Sequence, residues 1–188
     1  MEKKKIYGET IRDRLLASRR DKMHQFLLAD GAIRGVIVHA AKLVNEMRVN
    51  HELGILETYI LGSAYLGALL TGSSLKGDER LALEISCSGP LRGLSVETNA
   101  YGEVRGYLVE KQIPVSSPLE SFDLEPFWED GVLKVTRFLT RSKAPFTGQV
   151  ALSSGSLALN LAHYSLQSEQ TPSSYSLSVF FNLSLIHI

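Results

Sequence analysis

Thr58-Tyr59-Ile60-Leu61-Gly62-Ser63-Ala64-Tyr65-Leu66-Gly67-Ala68-Leu69-Leu70-Thr71-Gly72-Ser73-Ser74-Leu75 contains no charged residue, and the reading of this stretch decides the fold. A membrane span needs about 20 mostly apolar residues. This run is instead broken up by Gly62, Gly67 and Gly72 and by Ser63, Thr71, Ser73 and Ser74. A helix that is apolar on every side belongs inside a protein and needs cover on more than one face. Ile55 to Leu75 is therefore expected to be a buried central helix, with the flanking sequence as its cover.

Downstream, Leu81, Leu83, Ile85 and Cys87 alternate with Ala82, Glu84 and Ser86, the signature of a half-buried strand. Gly89-Pro90 turns the chain into Leu94, Val96 and Thr98, and Asn99 to Gly102 turns it again into Glu103–Glu110, giving an antiparallel meander. After a Pro-bearing loop from Ile113 to Trp128, Val132–Leu139 and Thr147–Leu152 read as a second hairpin joined through Lys143-Ala144-Pro145. Ser154-Gly155-Ser156 is placed to cap a helix from Leu157 to about Ser168, with Leu157, Leu161 and Tyr164 on one face, and Tyr175 to Phe181 is a final strand candidate. Upstream, Lys22 to Ala40 reads as extended and Ala41 to Arg48 as a short helix. The expected class is α+β, with mostly antiparallel sheets layered around the buried helix in β/α/β fashion. The expected organisation is an N-terminal extension over 1–21, a core domain over 22–175 and an atypical apolar tail over 176–188.

Composition allows such a core: area scaling has a chain of 188 residues burying roughly 70% of its extended surface on folding. Lys+Arg and Asp+Glu are both 20, and no basic stripe with interleaved aromatics runs along the chain, so nucleic acid is not an expected partner. The basic start, Met1-Glu2-Lys3-Lys4-Lys5, leads into charged, amphipathic sequence rather than the apolar stretch of a secretion signal, so a cytoplasmic location without a membrane is expected.

Candidate chemistry is sparse. Ser73-Ser74-Leu75-Lys76 matches the S-x-x-K pattern of serine acylases, but no S-D-N or K-T-G companion accompanies it. A lysine near a helix C-terminus, where it favours the dipole, is the plainer explanation. Gly72 to Gly77 resembles half a phosphate loop, yet Asp78 stands where the lysine should be and would repel phosphate. His24, His39, His51, His163 and His187 show no metal-ligand spacing. Cys87 is the only cysteine and ends an apolar strand face, which suits a small buried side chain. No catalytic, metal or cofactor-binding residue is expected, and the chain is not expected to be an enzyme.

Several local strings, taken in order, carry a resemblance. They are Ala32-Ile33-Arg34-Gly35, the uncharged run into Leu75-Lys76-Gly77-Asp78, Ser88-Gly89-Pro90-Leu91 and Val104-Arg105-Gly106-Tyr107. Gly131-Val132-Leu133-Lys134-Val135-Thr136, Pro145-Phe146-Thr147-Gly148-Gln149-Val150 and Tyr164 with Ser168-Glu169-Gln170-Thr171-Pro172 follow. Over about Lys22 to Pro172 the chain resembles the N-terminal domain of the 33 kDa heat-shock chaperone family, the redox-regulated bacterial holdases. That resemblance implies sheets wrapped around a largely buried helix, and ATP-independent holding of unfolded client proteins on apolar surface. It also implies dimers and a separate C-terminal switch, in which four cysteines bind zinc when reduced and form disulfides when oxidised.

None of those four cysteines occurs in these 188 residues, so no zinc and no redox module are expected in them. The sequence departs from the family pattern just after Tyr175, where Phe180-Phe181-Asn182-Leu183-Ser184-Leu185-Ile186-His187-Ile188 follows. A missing final strand would leave neighbouring backbone unpaired, making a homodimer or a strand-exchanged oligomer plausible. The leading expectation is a holdase domain. The alternatives are a truncated or frame-shifted fragment without function and, more remotely, a serine acyl hydrolase using Ser73 and Lys76.

Overall fold

The structure, a computed structural model, describes residues 20–115, 123–140, 142 and 144–181. Most of the N-terminal extension, the middle of the Pro-bearing loop, Lys143 of the second hairpin's connection and the end of the apolar tail lie outside the described residues. Through these residues run β1 (Lys22–Leu28), β2 (Ile33–His39), α1 (Ala41–His51), α2 (Ile55–Thr71), β3 (Arg80–Cys87), β4 (Gly93–Asn99) and β5 (Val104–Leu108). The short α3 (Glu125–Trp128), β6 (Gly131–Phe138), β7 (Phe146–Ala151) and α4 (Leu157–Gln167) complete the order.

The uncharged run forms α2, which tightens into a single 3-10 turn over Gly72–Ser74. Ile60, Leu61, Ala64, Tyr65, Ala68 and Leu69 are all buried. The hydroxyls of Thr58 and Thr71 donate to the carbonyls of Gly54 and Gly67 at 2.6 and 2.8 Å, so the helix satisfies its own polar side chains. By length and composition the stretch Ile55–Ser74 would pass for a membrane span, but 72% of its apolar window is buried inside the fold. Its neighbours are β3, β4 and β5 on one side and α1, α4 and β2 on others. The expected α+β fold, antiparallel sheets about a buried helix, is the fold observed.

The meander and the second hairpin join edge to edge through β3 and β6, giving one five-stranded antiparallel sheet of order β5-β4-β3-β6-β7. Register explains its two faces. Leu83 lies opposite Val96 and Val135, and Ile85 opposite Leu94 and Leu133, so the middle of the helix-facing side is apolar, while at its end Leu81 lies between Thr98 and Arg137. On the opposite face Arg80 and Arg105 meet Glu97 at 3.0 and 3.1 Å and Lys134 meets Glu84, pairs that keep this face wet and contribute little stability singly. The Ser88–Leu91 turn is seated on α3: the N–H groups of Gly89 and Leu91 donate to the carbonyls of Trp128 and Phe127. A side chain at position 89 would meet the Phe127 carbonyl oxygen at 2.5 Å, so the close approach requires glycine.

Three local expectations need correction. The extended stretch 22–40 is a hairpin of two strands, reversed at Ala29–Gly31, where φ is 50° at Ala29, 53° at Asp30 and 92° at Gly31. Asp and Gly tolerate these left-handed angles, and that turn signal lay in the middle of an otherwise apolar run. Second, no serine side chain caps α4. Asn160, inside the helix, instead ties down the preceding loop: its Oδ1 accepts from Ser153 N at 3.0 Å and its Nδ2 donates to the Ser154 carbonyl at 2.8 Å. Third, Tyr175 to Phe181 is assigned to no strand. It keeps the two-residue alternation, with Tyr175, Leu177, Val179 and Phe181 half-buried and Ser176, Ser178 and Phe180 exposed, but has no ladder partner among the described residues.

Candidate functional site

The sequence's candidates for covalent chemistry are not assembled. Ser73 lies in the 3-10 turn and its carbonyl accepts Gln25 Nε2 at 2.8 Å. The helix has already ended by Leu75, which is extended, and the main-chain N–H of Lys76 donates to Glu79 Oε2 at 2.9 Å in an exposed turn. Ser73 and Lys76 thus do not sit one turn apart on a helix face, as an acylase pair must, and Lys76 is not at the C-terminus of α2. Cys87 ends β3 half-buried, and burial pushes its thiol pKa up against the opposing pull of the Gly89 backbone and the Arg92 charge. Such a thiol carries little thiolate at neutral pH. His24 and His39 are exposed on the hairpin, with His39 an edge residue as expected, and His163 Nδ1 meets Ser153 Oγ at 3.0 Å. His51 has its pKa lowered, first by burial and then by the charge of Lys111. Among the described residues no three His, Cys, Asp or Glu side chains gather as metal ligands, while His187 lies outside them.

What the fold does display is apolar surface on the β1–β2 hairpin. In the observed register Phe26 faces Gly35, Leu28 faces Ile33 and His24 faces Ile37. Cross-strand partners share a face, so Phe26, Leu28, Ile33 and Ile37 form one outward patch. Leu28, Ile33 and Ile37 are 52, 55 and 59% exposed. The Phe26 ring lies across Gly35, where an added Cβ would meet ring carbons at 2.2 Å. The other face carries Met23, Leu27, Val36 and Val38 together with Gln25 and Arg34, Leu27 being 64% exposed, and among the described residues no further strand pairs with either edge of the hairpin. Contiguous apolar residues in Phe26-Leu27-Leu28 and Val36-Ile37-Val38, in place of alternation, are the sequence signal for this surface, and the expectation of client binding at no identified residue passed over it. Contiguous exposed apolar patches mark interaction surfaces.

Beneath the hairpin's inner face a groove of about 980 Å³ runs between β2, the C-terminal end of α2 and the segment after α4. Arg137 of β6 closes its base. Its Nε donates to Glu169 Oε1 at 2.7 Å and its Nη2 to the Thr71 carbonyl at 3.1 Å, and Tyr164 Oη donates to the same Glu169 oxygen at 2.9 Å. Burial works against the Arg137 charge, but the hydrogen bond and charge of Glu169 outweigh it and hold the guanidinium pKa above its ordinary value. The Tyr164 phenol is pushed far up, by burial first and then by Glu169. This clasp ties the sheet, the end of α2 and the chain after α4 together. It is structural chemistry, with every partner internal.

Comparison with known proteins agrees with this architecture. The family described as Hsp33 protein matches residues 21–187, a span that includes most of the tail expected to be atypical. The 33 kDa chaperonin of Desulforamulus reducens is 39% identical over 160 residues, which cover 85% of this chain and 54% of that protein. The 33 kDa chaperonin of Thermotoga sp. is 39% identical over 153 residues, covering 80% of this chain and 52% of that one. The crystal structure of the 33 kDa chaperonin from Thermotoga maritima superimposes with a TM-score of 0.79 at 36% identity, over 86% of this chain and 56% of the other. The chain therefore spans about half the length of the curated relatives it matches. The family match and the structural superposition agree, and the chain belongs to the Hsp33 family.

Proposed function

We propose that this chain is an ATP-independent holdase that binds unfolded proteins on exposed apolar surface and keeps them from aggregating. The observation that carries this is the outward face of the hairpin, where Phe26, Leu28, Ile33 and Ile37 stand open to solvent, while the outer face of the other sheet carries the Arg80–Glu97–Arg105 and Lys134–Glu84 pairs. Family membership supports the chaperone class. Unfolded chains expose the same kind of surface, and association removes both from water at about 25 cal/mol per Å². The proposed setting is the cytoplasm. The hairpin's two open edges are the proposed route to a homodimer or a strand-exchanged oligomer.

A second possibility, a unit too incomplete to hold clients by itself, is favoured by the lack of any ladder for Tyr175 to Phe181. Light scattering by a thermally unfolding client separates the two. The holdase suppresses scattering at a few molar equivalents, and well-folded protein that fails to suppress it would refute the proposal. Measured on these 188 residues, whose single cysteine has a raised pKa, the suppression is expected to be indifferent to peroxide and to zinc chelation. A peroxide response in Cys87→Ser would contradict that expectation.

A further inference from the structure

The outward face of the β1–β2 hairpin changes character along its length. The register that puts Phe26, Leu28, Ile33 and Ile37 on that face also puts Lys22, His24 and His39 there, with Lys22 opposite His39 and His24 opposite Ile37. All three basic side chains are exposed, and none makes an ion pair among the described residues. The carboxylate nearest to them in sequence is engaged elsewhere. The two oxygens of Asp21 accept the main-chain N–H groups of Lys42 at 3.0 Å and of Leu43 at 2.8 Å, which sets its charge against the N-terminal end of α1. Asp30 lies in the reversal, at the opposite end of the strands. The face is therefore apolar toward the reversal and basic toward the strand ends at Lys22 and His39.

We infer that this face prefers unfolded segments in which alternating apolar residues are followed by acidic ones, the apolar side chains seated toward the reversal and the carboxylates beside Lys22, His24 and His39. The inference rests on the holdase proposal and names the class of client segment for the same surface. Strand residues advance about 3.4 Å each, so the outward rows, Leu28 with Ile33, Phe26 with Gly35, His24 with Ile37 and Lys22 with His39, follow one another at about 7 Å. An extended segment repeats its side chains on one side at the same interval, so about seven residues of client match the four rows. Whenever the His39 imidazole is protonated, two like charges lie directly opposite each other, which is destabilising in an antiparallel pair. A bound carboxylate relieves that repulsion, whereas a bound ammonium adds to it, so the basic end rejects one kind of segment as well as attracting the other. With Lys+Arg and Asp+Glu both 20, the chain as a whole exerts no net pull on an acidic segment, and the preference comes from this local placement. The charges are exposed, which makes the preference modest and sensitive to salt.

Fluorescence anisotropy of the full chain with three labelled peptides tests this. Each peptide carries the block Leu-Ser-Ile-Ser-Leu-Ser, followed by Asp-Gly-Asp, Ser-Gly-Ser or Lys-Gly-Lys. At about pH 6, where imidazoles as a class are largely protonated, and at low ionic strength, the acidic peptide should bind about fivefold more tightly than the basic one, with the neutral peptide between them. The gap should close at high salt. Lys22→Glu with His39→Glu should reverse the order, and Lys22→Gln with His39→Gln should bring the three affinities within about twofold. Equal affinities for the wild-type chain, or the wild-type order retained in either variant with native circular dichroism, overturn the inference and leave the holdase standing. Binding of none of the peptides, while carboxymethylated α-lactalbumin as a permanently unfolded client is still held, does the same. Binding of neither peptides nor client sinks the holdase as well.

Discussion

At the scale of single residues, burial and charge make definite forecasts. Arg137 carries a charge that Glu169, Thr71 and Tyr164 together compensate, so Arg137→Ala strands a carboxylate and a carbonyl at the end of α2. A loss of about 3 kcal/mol in urea unfolding is expected. A variant within about 0.5 kcal/mol of wild type would show that the clasp is ornamental. Cys87, with its raised pKa, should react with iodoacetamide more slowly than a free cysteine at pH 7.5, and faster alkylation would contradict its burial. Glu97 illustrates the sign of a pH effect. Burial pushes its pKa up, but hydrogen bonds and charge from Arg105 and Arg80 outweigh that, so the folded value lies below the unfolded one. Its contribution is therefore present above the unfolded carboxylate value and lost as pH falls through the folded one. Glu97→Gln should therefore lower stability modestly at pH 7, flatten the curve in that acid window and match wild type below it, as denaturant titration at several pH values would reveal. Sequence reasoning read Cys87 as a small buried side chain and placed Ser73 with Lys76 last among the alternatives, because both judgements needed only local pattern. It missed Arg137 and Glu169, which are 32 positions apart in the chain and meet only through the tertiary fold.

Among the elements, those set by periodicity were legible and those set by pairing were not. The charge-free run announced α2 because no surface helix can afford so complete an absence of polarity, and the Leu81-Leu83-Ile85 alternation announced β3. The reversal at Ala29–Gly31 was hidden because apolar residues continue on both sides of it, and Tyr175–Phe181 alternates like a strand but pairs with no other strand among the described residues. The same distinction predicts local stability. Amides of β3, bonded on both edges and roofed by α2, should exchange about a hundredfold more slowly than those of the exposed β1–β2 hairpin. Uniform exchange across the two would mean that the fold is not closed. Truncating the helix at a fully buried position, Leu61→Ala, should cost about 3 kcal/mol by calorimetry, and a cost below 1 kcal/mol would mean that α2 is not packed as described.

For the whole molecule, the division of labour is between a rigid sheet-and-helix body and an apolar hairpin attached to its side. The body buries its uncharged helix and presents a charged outer sheet face, while the hairpin leaves Leu28, Ile33 and Ile37 more than half exposed. A surface of that kind carries a cost in solubility, which the proposed holdase activity would turn to use. The central claim is that this patch binds the client, and it is tested most directly by the affinity of the chain for fluorescently labelled, carboxymethylated α-lactalbumin, compared between wild type and Ile33→Asp with Ile37→Asp. Both positions are exposed, so the substitutions should leave the thermal midpoint within about 2 °C, and removal of anchors of this kind should weaken binding by at least about tenfold. Binding of equal affinity by the folded double variant would contradict the claim.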